Sequence, residues 1–169
     1  MAKQLLLAHM LLLTLSACGW QLRDSELLSE EIGRVYLSSN SAYSHFINNL
    51  SRTLDKAGVQ TASNSSDGDY TIFILDIRNS RRTSTLNSGG RVAEYQLNQD
   101  VDFVILDKTG TRLSSVLTAT VEKVFEFDEQ DVLASANEEQ TIKDQMNQET
   151  ARQILNQLNR LTTVNSKSL

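Results

Sequence analysis

From Glu94 to Asp107 the chain alternates with period two. Tyr95, Leu97, Val101, Phe103 and Ile105 share one face, and Glu94, Gln96, Asn98, Asp100 and Asp102 occupy the other. Successive side chains of a strand point to opposite sides, so alternation over this length predicts a half-buried β-strand. Asp107-Lys108-Thr109-Gly110 then predicts a tight turn into Arg112 to Phe127, where Leu113, Leu117, Ala119 and Val121 keep the alternation. An antiparallel hairpin is the framework that every other segment has to fit.

Tyr70 to Arg78 is rich in Ile and Phe and apolar on both faces as far as Asp76. Such a run predicts a central strand covered on two sides, although its length also permits a buried helix. Val35-Tyr36-Leu37 reads as a first strand, and Val59 to Ala62 has room for a short additional one. Between them Tyr43, Phe46, Ile47, Leu50, Leu54 and Ala57 fall at three- and four-residue steps, the stripe of an amphipathic helix. Ser41 or Ser44 is placed to cap that helix, and Gly58 to end it in a left-handed conformation. Ser135-Ala136-Asn137-Glu138 fits a capping box. Beyond it Ile142, Met146, Ile154, Leu158 and Leu161 mark a second helical stripe, widened by Ala151 and Leu155. The chain has no proline, no internal repeat and no long linker. The expected fold is α+β: a mixed, mostly antiparallel four-stranded sheet with two helices packed on one face.

The single cysteine lies in Leu15-Ser16-Ala17-Cys18, behind the largely apolar run Gln4 to Leu15 and the lone charge of Lys3. Twelve helical residues reach about 18 Å, too short for a hydrocarbon core of about 30 Å. A charged start, a short apolar run and small residues describe an export signal. The last four residues resemble a bacterial lipobox, in which cleavage follows Ala17 and Cys18 receives S-diacylglycerol and an N-acyl chain such as palmitate. Expected boundaries are 1–17 signal peptide, 18–34 lipidated segment, 35–161 one folded domain and 162–169 polar tail. With Cys18 lipidated the mature chain has no thiol for a disulfide, a metal or a nucleophile. Gly19 follows the cysteine, where an aspartate would resemble the inner-membrane retention signal, which points to the outer membrane. Removing Lys3 takes the formal net charge from −5 to −6, so nucleic acid is a poor partner.

The residue inventory argues against catalysis. His45 is the only histidine of the mature chain, which is too few for a usual zinc site. Ser44 adjoins it in sequence, with no glycine-flanked nucleophile turn. Asp128, Glu129, Asp131, Glu138 and Glu139 read as a solvated loop and helix start, and Gly89-Gly90 as a turn. No metal and no cofactor other than the acyl groups on Cys18 is expected. One stretch opposes the overall acidity: Arg78, Arg81, Arg82 and Arg91 lie between Asp76 and Glu94 with no acid among them. Guanidinium groups grip phosphates bidentately, and arginines at strand ends also discourage edge pairing; composition leaves both roles open.

Cys18-Gly19-Trp20-Gln21-Leu22-Arg23-Asp24 resembles the mature start of the LptE family, the lipopolysaccharide (LPS)-assembly lipoproteins once called rare lipoprotein B. Ala93-Glu94-Tyr95-Gln96-Leu97 is similar to the same family. So is Glu122-Lys123-Val124-Phe125 onward, through Leu133-Ala134 and Asn137-Glu138. The resemblance spans nearly the whole mature chain. It implies an α/β sandwich that sits as a plug in the outer-membrane barrel protein LptD, as a one-to-one complex, and binds LPS during delivery to the outer leaflet. Basic residues of the family near the turn before Ala93 and after Ala134 are replaced here by Ser88 and Ser135, with Arg81, Arg82 and Arg91 close by; Arg78, Arg81, Arg82 and Arg91 are therefore expected to form a cationic tip without counter-ions that meets LPS phosphates. A lipid-anchored scaffold or pilot for another secretion barrel would share the anchor and the sheet without needing LPS contacts.

Overall fold

A computed structural model describes residues 32–40 and 44–166. The signal peptide, Cys18, most of segment 18–34, the candidate cap Ser41, Tyr43 and residues 167–169 lie outside the described residues. In chain order the elements are β1 (Arg34–Ser39), α1 (Ser44–Lys56), β2 (Gln60–Ala62), a 3-10 turn (Ser65–Asp67), β3 (Tyr70–Leu86), β4 (Val92–Asp107), β5 (Leu117–Glu126) and α2 (Val132–Ser166). The strands form one sheet in the order β2-β1-β3-β4-β5. β1 runs parallel to both β2 and β3, whereas β3, β4 and β5 are antiparallel. The α+β expectation holds. The sheet has five strands rather than four, the extra one being the three-residue edge strand β2.

Both helices pack on one face. Phe46, Leu50 and Leu54 of α1 and Ala151, Ile154, Leu155 and Leu158 of α2 share a buried cluster with Val35, Ile72, Ile74, Val101, Phe103 and Ile105 of the sheet. Each fully buried Val, Leu, Ile or Phe side chain contributes about 1.5–3 kcal/mol, so the stripes dictate where the helices dock. Gly58 takes φ 78° and its N–H bonds the Asp55 carbonyl at 3.0 Å, ending α1 as expected.

β3 departs from the sequence pattern in two ways. Ile74 pairs with Phe103 but Asp76 with Asp102, so Leu75 is an extra residue in a β-bulge. The bulge flips the parity: Ile72 and Ile74 face the helices before it, and Ile77 packs against the same core after it. Before the bulge Phe73 alternates with Ile72 and Ile74, so the run is apolar on both faces although both helices cover only one of them. β3 also continues past Arg78 to Leu86 and pairs with β4 through Leu86 and Val92. Arg78, Arg81 and Arg82 are therefore strand residues, and the connecting turn is only Asn87 to Arg91, closed by Asn87 Oδ1 accepting from the Gly89 and Arg91 amides.

At α2 the expected capping box is displaced. The helix begins at Val132, and Asp131 caps it, its Oδ1 accepting from Ala134 N at 3.0 Å. Ser135 lies inside the helix, buried, and its Oγ accepts from Asp128 N at 3.0 Å, pinning the β5–α2 loop. At the far end α2 runs to Ser166, so the polar tail does not start at Thr162. Thr162 is buried, and its hydroxyl is satisfied by donating to the Asn159 carbonyl at 2.9 Å.

A polar seam divides the core. Gln99 of β4 is buried among apolar neighbours, and its Nε2 donates to Asn79 Oδ1 at 3.1 Å and Asn147 Oδ1 at 2.9 Å. Its Oε1 accepts from the fully buried Thr150 hydroxyl at 2.8 Å. Beyond this seam lies a second, smaller cluster of Leu97, Val121, Phe125 and Met146, flanked by Tyr95 and Ile142.

Candidate functional site: the β3–β4 hairpin

The four arginines are distributed over the hairpin rather than gathered at its tip. Arg78 faces away from the helices and grips Asp102 with two bonds, Nη1 to Oδ2 at 2.5 Å and Nη2 to Oδ1 at 3.0 Å, while Nη1 also reaches Asp76 at 3.0 Å. Thr118 of β5 donates to Asp102 at 2.7 Å. The Arg78 guanidinium, followed by the Thr118 hydroxyl, holds the Asp102 carboxyl below the usual carboxylate range. In return Asp102 first and Asp76 second raise Arg78 above its ordinary value. Thr120 and Asn98 extend this polar ladder to Asp100, at 2.6 and 3.0 Å.

Among the described residues Arg82 has only a neutral partner, both its Nε and Nη2 bonding Gln96 Oε1 at 3.1 and 3.0 Å. Arg81 points to the helix side, where Nη1 meets Glu139 at 2.9 Å and the guanidinium lies 4.5 Å from the Tyr95 ring centroid. Arg91, in the turn, pairs with Glu129 at 3.1 Å with both side chains exposed. The expectation of four cations without counter-ions is thus corrected: three of the four have carboxylate partners. Those acids come from β3 itself and from β4, α2 and the β5–α2 loop, outside the interval between Asp76 and Glu94.

Two hollows flank the hairpin. A groove of about 630 Å³ runs between the Asn87–Arg91 turn and the β5–α2 loop. Glu94, Glu126, Asp128, Glu129, Asp131 and Glu138 line it with Arg91, so this end of the molecule is acidic. Ser135, at one of the positions where the family resemblance puts a base, is interior to this loop and structural. The second hollow, about 180 Å³, lies between the strands and α2. Glu139 stands beside it, joined to Lys143 at 2.6 Å as well as to Arg81. Lys143 first, and Arg81 after it, keep the Glu139 carboxyl below its usual range against the opposing effect of burial. The sequence reading did not find Glu139 and Tyr95 as partners of Arg81, or Lys143 as the second cation on Glu139. The four-residue spacing of Glu139 and Lys143 on a helix was the available signal.

His45 is exposed, its Nδ1 3.4 Å from the Asn49 amide. Among the described residues no group of His, Cys, Asp and Glu could hold a metal ion. Among them also, no helix is long and apolar enough to cross a membrane.

The fold and the hairpin define a class of small α+β domains in which a mixed sheet carries two helices on one face and a charged polar ladder on the other. Within that class the chain belongs to the LptE family, described as lipopolysaccharide-assembly, whose family model matches residues 32–158. It is 23% identical over 153 residues to the LPS-assembly lipoprotein LptE of Photorhabdus laumondii, covering 90% of this chain and 83% of that one. Its fold is similar to the solution structure of an uncharacterised lipoprotein B from Nitrosomonas europaea, with a TM-score of 0.71, 23% identity, and 86% of this chain and 93% of that chain covered. It is likewise similar to the crystal structure of rare lipoprotein B from Shewanella oneidensis, with a TM-score of 0.65, 22% identity, and 79% and 98% covered. The chain accordingly has a role in lipopolysaccharide assembly.

Proposed function

We propose that this protein is a lipid-anchored outer-membrane lipoprotein that forms a one-to-one plug in the LptD barrel and binds LPS during its insertion into the outer leaflet. The observation that carries this reading is the family match from residue 32 to residue 158, which takes in β1 through most of α2. Cys18, lying in the lipobox-like run, is the attachment point, and the role is assembly rather than catalysis. Replacing Cys18 by Ser is expected to leave an unprocessed or mislocalised precursor; an unmodified Cys18 in the mass of the mature wild-type protein would remove the anchor from the reading.

Of the four arginines, Arg82 and Arg91 give up the least in turning to LPS phosphates. Arg82 has only an amide oxygen to give up, and the Arg91–Glu129 pair is exposed on both sides, where an ion pair is worth about 0–1 kcal/mol. Arg78 is held bidentately and serves the sheet. The test is to purify the tagged full-length protein from outer membranes in detergent, identify the bound barrel by mass spectrometry, and measure LPS binding. LptD should co-purify in equal amount. The R82S/R91S double variant should bind LPS about tenfold or more weakly, some 1.4 kcal/mol, and keep its barrel. A different barrel in the pulldown would favour the pilot reading, and unchanged LPS affinity would return both arginines to guarding the sheet.

A further inference from the structure

We propose that the 180 Å³ cavity between the hairpin and α2 is a subsite for a sugar phosphate, and that Glu139 occupies its cations until the phosphate displaces it. The class of ligand rests on the lipopolysaccharide reading; the site rests on its own geometry.

Arg81 and Lys143 converge on the single carboxylate of Glu139 at 2.9 and 2.6 Å, leaving one positive charge uncompensated among the described residues. Stacking on Tyr95 at 4.5 Å fixes the plane of the Arg81 guanidinium, so little freedom is lost when it grips an oxyanion. Both cations are about half exposed, at 50% and 48%, while Glu139 is only 17% exposed. The carboxylate therefore lies on the inner side of the pair and an incoming anion meets the cations first. A phosphate monoester carries about −1.5 to −2 charge and three acceptor oxygens. It satisfies two cations better than one carboxylate does, and Glu139 recovers its hydration on leaving.

The size of the cavity limits the group that the phosphate can carry. It is well below the roughly 300–1,000 Å³ of pockets that enclose drug-sized ligands, so it takes one ring-sized group and not an acyl chain. Its walls suit a sugar. Asn79, whose Oδ1 accepts from Gln99, offers its amide N–H groups to hydroxyls, and Leu97 and Met146 offer an apolar floor to a C–H face.

The experiment uses the full-length lipoprotein in detergent micelles, labelled for NMR and titrated with glucose 1-phosphate, inorganic phosphate or glucose. Glucose 1-phosphate is expected to shift the Arg81 Nε–H signal and the amides of residues 79–81 and 139–143, and to bind at least threefold more tightly than either fragment. Glu139→Gln, which weakens the competitor, should tighten binding threefold or more, and Arg81→Gln should weaken it about tenfold. Shifts confined to the Arg91 turn, an E139Q variant that binds no better, or inorganic phosphate binding as well as glucose 1-phosphate would each overturn the proposal. If E139Q does not fold, the wild-type shift map and R81Q decide. LPS binding by R82S/R91S in the same micelles reports on the broader reading separately. Should wild-type protein not bind LPS at all, that reading fails, while mapped shifts at Arg81 would still establish the subsite.

Discussion

Gln99 illustrates what a single residue costs and contributes. A buried amide without partners is destabilising by about 1–3 kcal/mol, yet here the oxygen and both amide hydrogens are engaged, by Thr150, Asn79 and Asn147. Gln99→Met should lower stability by about 1–3 kcal/mol, chiefly because the fully buried Thr150 hydroxyl loses its acceptor. Adding Thr150→Val, which removes the orphaned hydroxyl with little change of shape, should recover part of that loss. Thermal unfolding of the three proteins checks it, and a double variant no more stable than the single would show that the seam is not what was broken. Period two already puts Gln99 beside Leu97 and Val101 on the helix-facing side, so its burial was legible. Its partners were not, because they lie 20, 48 and 51 residues away and nothing local marks them.

Among the elements, those defined by apolar spacing emerged where expected: α1, the core-facing side of β4, and β5, although β5 starts at Leu117 rather than Arg112. Polar elements did not. β3 beyond Ile77 reads Arg-Asn-Ser-Arg-Arg-Thr-Ser-Thr, which has no hydrophobic period, and it is a strand only because β4 is long enough to pair with it through Val92. The same cause hid the arginines' geometry: in a loop they would share one tip, whereas in a strand Arg81 and Arg82 must face opposite ways. The start of α2 was misplaced because Asp131 and Ser135 both suit a cap, and only the bond from Asp131 to Ala134 N decides between them. Two substitutions separate their roles. Asp131→Ala should cost about 1 kcal/mol through loss of the cap. Ser135→Ala should cost about 1 kcal/mol by leaving Asp128 N without its partner. Hydrogen exchange should tell them apart: D131A should expose the first turn of α2, and S135A the amide of Asp128. Opposite patterns would restore Ser135 as the cap.

At the scale of the whole molecule, the acidity of the chain and the placement of its charges set how it responds to pH. Asp102, Asp107 and Glu139 all titrate below the usual carboxylate range in the folded protein. Their leading causes differ: the Arg78 guanidinium at Asp102, the Thr109 hydroxyl at Asp107 and the Lys143 ammonium at Glu139. Between each depressed value and the ordinary value near 4, the unfolded chain binds more protons than the folded one, so stability rises with pH across that interval. The contribution is fully present above the ordinary carboxylate range and is lost as pH falls through the folded values. Two of these carboxylates tie separate elements together, Asp102 joining β3, β4 and β5 and Glu139 joining β3 to α2. Acid should therefore loosen the hairpin and its docking on α2 before it reaches the apolar cluster around Phe103. Chemical denaturation from pH 7 down to about pH 2.5 should show a plateau and then a decline beginning near pH 4. Asp102→Asn should be less stable at neutral pH and decline less steeply in acid, because one proton-linked group has been removed while Arg78 has lost its bidentate partner. A variant with the wild-type slope would mean that the Arg78–Asp102 pair is as solvated in the folded chain as in the unfolded one, and that the ladder on the bare face of the sheet does not hold its strands.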